Sequence, residues 1–178
     1  MTSEPAPSLW ELLNSFEHTA FRLEVRDRYN EPDESEPLTN FLAGDRDEPA
    51  WMSEWLDLVR GATATGRRFA RVRVVTVPLT DYSRFGLWCS GFTTRAGEDI
   101  RYLPRDQADA AGVPDHDYWL FDSRTLMRMN FDDEEAFLGT ELISDPAEIV
   151  QHNYWRDAAW HEAVRRDDFA GHQHLGRG

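Results

Sequence analysis

Asp115-His116-Asp117-Tyr118-Trp119-Leu120-Phe121-Asp122-Ser123-Arg124-Thr125-Leu126-Met127-Arg128-Met129-Asn130-Phe131 is the stretch on which the fold turns. Tyr118 to Phe121 is dense in side chains that suit a pleated, buried surface. Asp122 to Thr125 supplies turn chemistry, because Asp and Ser side chains bond nearby backbone. Leu126 to Phe131 then puts Met127, Met129 and Phe131 on one face and Arg128 and Asn130 on the other. These features predict a hairpin in the middle of a sheet.

Downstream, Ala136 to Ile143 reads as a third strand, reached across the acidic turn Asp132 to Glu135. That acidic run lacks the spaced ligands and central Gly of a calcium loop and reads as a solvated turn. Asp145 is a helix cap, with Pro146 at the first position and Glu148 three residues after the cap. The helix is expected to run to about Arg165, and residues 166–178 to form a loose tail.

Upstream, residues 1–7 read as frayed. Ser8 and Glu11 make a capping box for a helix carrying Leu9, Trp10, Leu12, Leu13 and Phe16. Phe21 to Arg26 alternates strictly, so Phe21, Leu23 and Val25 face the core and Arg22, Glu24 and Arg26 a solvated surface. Asn30 to Pro37 reads as a mobile loop and Glu36 to Leu42 as a short helix stopped by Gly44. Trp51, Trp55, Leu58, Val59 and Ala62 recur at helical spacing up to Gly66.

Arg67 to Val77 is the clearest strand, with Phe69, Arg71, Arg73, Val75 and Val77 on one face. Thr80-Asp81 caps a helix through Tyr82, Phe85, Leu87 and Trp88, followed by a Gly-bearing segment from 91 to 97. Ile100 to Leu103 is a short strand and Arg105 to Ala111 a short helix. The whole is an α/β (α+β) layout: one domain over residues 1–165, with a single mixed sheet flanked by helices.

The 178 residues carry 19 basic and 33 acidic groups, a net charge of −14. Such a field repels a nucleic-acid backbone, so direct DNA or RNA binding is not expected. Every basic residue is Arg, and with no Lys the P-loop, Schiff-base and Ser–Lys chemistries are closed. Cys89, the single cysteine, lies in the apolar run Leu87 to Cys89 and reads as a buried, inert thiol. No apolar run approaches the ~20 residues that span a bilayer, and the N-terminal residues lack the regions of a signal peptide. A cytosolic protein is expected, with no membrane partner, cofactor or metal.

Four segments carry a resemblance to a known family: Phe16 to Glu24; Arg71 to Thr76 through Pro78 to Tyr82; Ala96 to Pro104; and Tyr118 to Asp122. Over nearly its whole length the chain resembles the actinobacterial DUF6879 family. The resemblance implies a small cytosolic protein, often encoded near helix-turn-helix regulators. It supplies no catalytic residues. More loosely, the layout is similar to half of a phospholipase D-type domain, whose signature is His-x-Lys with a downstream Asp. His116-Asp117-Tyr118 with Asp122 echoes it, but Tyr118 stands where Lys is needed, which implies a catalytically degenerate site.

Two readings of function follow. The preferred one is a non-enzymatic regulatory or protein-binding module that works with a helix-turn-helix regulator, its acidity matching a basic partner. Its sign is an exposed aromatic patch from Trp88, Phe92 or Trp160. The alternative is a ligand-binding or hydrolytic pocket drawing on Arg71, Arg73, Tyr82, Arg84, Asp99 and Arg101, with His116 and Asp122 as weak catalytic candidates. That reading requires the side chains to converge. His152 and His161, nine residues apart on one helix, point to opposite sides and do not share a metal. His172 and His174 lie in the expected tail and could take a metal adventitiously.

Overall fold

In the computed structural model, residues 6–173 are described. They form seven α-helices and one mixed seven-stranded sheet of order β6-β5-β4-β1-β2-β3-β7. The elements are α1 (Leu9–Ser15), β1 (Thr19–Glu24), α2 (Ser35–Leu42), α3 (Ser53–Ala64), β2 (Arg68–Val75), α4 (Asp81–Ala96), β3 (Asp99–Pro104) and α5 (Arg105–Ala110). The hairpin β4 (Tyr118–Phe121) and β5 (Thr125–Phe131) follows, then β6 (Phe137–Ile143), α6 (Pro146–Glu162), β7 (Val164–Arg165) and α7 (Arg166–His172). Short 3-10 turns precede α2 (Pro32–Glu34) and α3 (Ala50–Met52).

β1, β2 and β3 run parallel, β4 is antiparallel to β1, and β4, β5 and β6 form an antiparallel meander. The expected hairpin is therefore central in sequence and joins β1 through β4. Asp122 and Ser123 take positive φ in its turn. Short polar side chains tolerate this conformation best after Gly.

Both parallel crossovers lie on one face. Phe41 of α2, Leu56 and Val59 of α3, and Phe85 of α4 pack there with Phe16, Phe69, Trp119, Phe121 and Met127. On the other face, α5 and α6 cover Phe21, Leu23, Val72, Val74, Tyr118, Leu120 and Leu126.

The caps follow the sequence closely. Ser8 and Glu11 close both halves of a capping box. Thr80 caps α4 and Asp145 caps α6, each accepting from a first-turn N–H.

Four expectations are corrected. Arg22 and Glu24 do not face solvent: Arg22 is 8% exposed, because α1 to α4 roof the face on which it stands. Segment 91–97 continues α4 to Ala96. Gly91 lies inside that helix against the Arg166 guanidinium, which stands 2.9 Å from where a Cβ would be and would have to shift for a larger residue. Finally, the expected tail is structured from Arg166. Phe169 of α7 is buried and stacks on Tyr102 at 4.9 Å, which pins the helix to β3. The loop at 30–37 is likewise ordered, holding the 3-10 turn and the start of α2. Residues 1–5 and His174 lie outside the described residues.

Candidate functional site

The face under α1 to α4 divides into two zones. Near the start of β1 and β2, Ala20 and Phe69 pack into the core. Near their carboxyl ends, alternation brings Arg22, Glu24, Arg71 and Arg73 to the same face. There the helices stand away from the sheet and leave a cleft of about 670 Å³. Open α/β sheets form their crevices at the carboxyl ends of strands, where connections diverge.

The floor of the cleft is an ion-pair lattice. Glu24 accepts from Arg73 Nη1 at 2.9 Å and from Arg71. Arg71 Nε donates to Glu98 at 2.7 Å, and the Trp55 indole N–H reaches the other Glu98 oxygen at 3.4 Å. Arg22 donates to Asp117 at 2.8 Å, and Tyr29 donates to the same oxygen at 2.6 Å. The second Asp117 oxygen takes the Val25 backbone N–H. Asp117 thereby holds the floor from behind, binding β1 to the residue that opens β4.

Two donors in this lattice have no partner. Arg73 is 4% exposed, and its Nη2 meets no acceptor. The Trp119 indole N–H is likewise buried and unpaired, on a side chain 3% exposed. Both residues line the cleft. Buried donors are almost always satisfied in folded proteins, so each such group calls for a partner.

The walls are aromatic, with Trp51, Trp55, Tyr29, Tyr82 and Phe131. Arg73 lies over the Tyr29 ring at 4.9 Å and the Tyr82 ring at 5.9 Å. Tyr82 donates to Glu34 at 2.5 Å. Burial, with the Glu34 charge added, raises the Tyr82 pKa far above neutrality; burial and Asp117 do the same for Tyr29. Burial also pushes up the Cys89 thiol, which touches this cleft. At the rim stand Glu31, Asp33 and Glu34 of the 3-10 turn. Glu34 is held above the ordinary carboxylate range, first by burial and then by Glu31 and Asp33.

Of the residues singled out in the sequence, Arg71, Arg73 and Tyr82 meet in this cleft. The rest do not join them. Arg101 is one residue out of phase with Tyr102 and stands on the opposite face, over the Trp160 ring at 3.9 Å. Asp99 sits near it at 3.8 Å. Arg84 pairs with Asp81 at the exposed start of α4.

His116 and Asp122 are held apart at the two ends of β4. Asp122 accepts the backbone N–H groups of Glu17, His18 and Thr19 at 2.7–3.0 Å. His116 Nε2 lies 2.9 Å from Nε2 of His152, a residue with no exposed surface. Among the described residues no group of three His, Cys, Asp or Glu is arranged to hold a metal.

Trp88, Phe92 and Trp160 are packed against the cores rather than exposed. The large exposed apolar side chains include instead Phe137, Leu138 and Leu142 on the edge strand β6. Sequence reasoning missed Arg22, Glu24, Glu98 and Trp119 as parts of a site, and placed Asp117 with His116 rather than with Arg22. The available signal was polar alternation repeated on two neighbouring strands, with a long helical crossover to roof it. No described helix is long and apolar enough to cross a membrane.

Comparison with curated proteins returned no match. The model of one family, DUF6879, a domain of unknown function, matches residues 7–171, and the chain belongs to that family.

Proposed function

We propose that the protein is a non-enzymatic, ligand-responsive module of the cytosol: its cleft over β1 and β2 receives a small organic molecule, and the filled protein engages a helix-turn-helix regulator. The observation that carries the ligand reading is the unpartnered Arg73 Nη2 at the floor of the cleft. A buried, unsatisfied polar group destabilises a fold by about 1–3 kcal/mol, and more when charged. An acceptor on a bound molecule removes that penalty. The volume, about 670 Å³, falls in the ~300–1,000 Å³ range of small-molecule sites.

The chemistry of the lining supports binding over catalysis. Each carboxylate of the floor is committed to an arginine. The nearby hydroxyls and thiol have pKa values raised by burial, so they stay protonated near neutrality. A protein partner is supported by the net charge of −14 and by Phe137, Leu138 and Leu142 on an unpaired sheet edge.

Native mass spectrometry of protein isolated from its host, paired with thermal shift against a metabolite set, tests the ligand reading. The expected result is a bound small molecule, or a stabilising compound, whose effect falls in Arg73→Gln and in Trp119→Phe. A wild type that carries nothing and is shifted by no compound contradicts it. For the partner, co-purification of a helix-turn-helix protein that is lost in Leu138→Asp is expected. Its absence contradicts that half alone.

A further inference from the structure

The chemistry of the ligand can be taken further, resting on the reading of the cleft as a ligand site. The floor is electrically balanced, with Arg22, Arg71 and Arg73 against Glu24, Glu98 and Asp117. Its free polar functions are two donors, Arg73 Nη2 and the Trp119 indole N–H.

The rim has the opposite character. Glu31, Asp33 and Glu34 come from one short turn, and Glu54 of α3 joins them at the same cleft. Among the described residues, the basic side chains lining the cleft are the three floor arginines, each in an ion pair with a floor carboxylate. Neither Glu31 nor Asp33 has a side-chain hydrogen bond or ion pair to a described residue, and Glu34 is bonded only through Tyr82.

Charge of one sign crowded at a partly dry mouth repels an anion and attracts a cation. Burial, and then repulsion among these carboxylates, hold Glu31 and Glu34 above the ordinary carboxylate range even though Arg22 acts on Glu31, and Tyr82 and Arg73 on Glu34, in the opposite sense; a cation at the rim would relieve what remains. Between rim and floor the walls are Trp51, Trp55, Tyr29, Tyr82 and Phe131, surfaces suited both to an aromatic body and to a positive charge.

We infer that the ligand is a small organic cation: an amine or guanidine at the Glu31–Asp33–Glu34 rim, an aromatic or apolar body along the tryptophans, and one hydrogen-bond acceptor on Arg73 Nη2. A phosphate or simple carboxylate is disfavoured, because it would satisfy Arg73 only by passing the acidic rim. A bare metal ion is disfavoured as well, since the carboxylates do not converge on one point.

Three phenylalanine derivatives of differing charge separate these possibilities: phenylalaninamide (cation), N-acetylphenylalaninamide (neutral) and N-acetylphenylalanine (anion). Each is titrated into the full chain at low salt, with calorimetry and quenching of tryptophan fluorescence as readouts. The cation is expected to bind about tenfold tighter than the neutral amide, in line with one charge-assisted contact, and the anion weakest of all. In Glu31→Gln with Asp33→Asn, two exposed or half-exposed positions without partners, the cation's advantage over the neutral amide should shrink severalfold, with Glu34 left to supply the remainder. Equal or tighter binding of the neutral or anionic probe overturns the cation assignment and leaves the ligand site standing. A preference that survives undiminished in the double variant also overturns it. Binding by none of the three at millimolar concentration contradicts the ligand site itself.

Discussion

The Arg22 guanidinium and the Asp117 carboxylate meet at 2.8 Å, two buried charges 95 residues apart in the sequence. Asp117 also accepts from Tyr29 and from the Val25 backbone, so three donors depend on one carboxylate. Replacing it leaves a buried guanidinium without its counter-charge. Asp117→Ala should destabilise the fold by about 3–5 kcal/mol, read by urea denaturation. Tyr29→Phe removes one donor and should lower stability by only about 1 kcal/mol.

Asp122 secures the other end of β4, holding the backbone that joins α1 to β1. Asp122→Ala should lower stability by about 2 kcal/mol and leave probe binding in the cleft unchanged. The N–H groups of Glu17, Thr19 and His18 hold its carboxyl below the usual range against the opposing effect of burial. A depressed folded pKa means a contribution present above the unfolded value near 4 and lost as pH falls through the folded value. The variant should therefore lose less stability than the wild type below about pH 4.

The His116–His152 pair predicts a separate acid sensitivity. Burial lowers both imidazole pKa values, and for His116 the neighbouring His152 adds to it. Arg128 reinforces the shift at each ring; Asp115 and Asp117 oppose it at His116, and Glu148 opposes it at His152. The unfolded chain then binds more protons just below pH 6.5, so stability falls as pH drops from about 6.5. The slope is at most about 1.4 kcal/mol per pH unit for each proton. Denaturation at pH 7.5 and 5.5 should show a smaller loss in His116→Gln, which removes one titrating ring and retains a donor to His152.

Gly97 ends α4 at φ 120°, and a Cβ there would lie 2.3 Å from the Thr63 hydroxyl of α3. Gly97→Ala combines a strained backbone with a steric clash, and should lower stability by at least about 2 kcal/mol. Gly66→Ala is also strained at φ 81° but meets no atom within 4 Å, so it should lower stability by less. Thermal unfolding of the two variants separates backbone strain from the clash.

Local chemistry was legible wherever neighbours in sequence decide it. The capping box at Ser8, the caps at Thr80 and Asp145, the alternation of β2 and the β4–β5 hairpin all lie in short windows. What the windows do not contain is which face of a strand is roofed. Arg22 and Glu24 alternate like solvent-facing residues, yet the crossover helices α2, α3 and α4 lie over them, and the charges become a buried lattice. Arg101 was grouped with Arg71 and Arg73 by charge, while the parallel register turns it to the far face. Segment 91–97 reads as lying beyond α4, while the Arg166 side chain that packs against Gly91 inside the helix comes from far along the chain. The same distance hid the meeting of His116 with His152.

The most direct test of the cleft is the indole ¹⁵N–¹H spectrum of the seven tryptophans, recorded while phenylalaninamide is added. Trp119 and Trp55 face the cleft, whereas Trp155 packs on His152 and Trp160 under Arg101, across the sheet. The account predicts that the Trp119 and Trp55 signals move saturably while those of Trp155 and Trp160 stay in place. Movement confined to Trp155 and Trp160, or no saturable movement at all, would contradict a ligand site over β1 and β2.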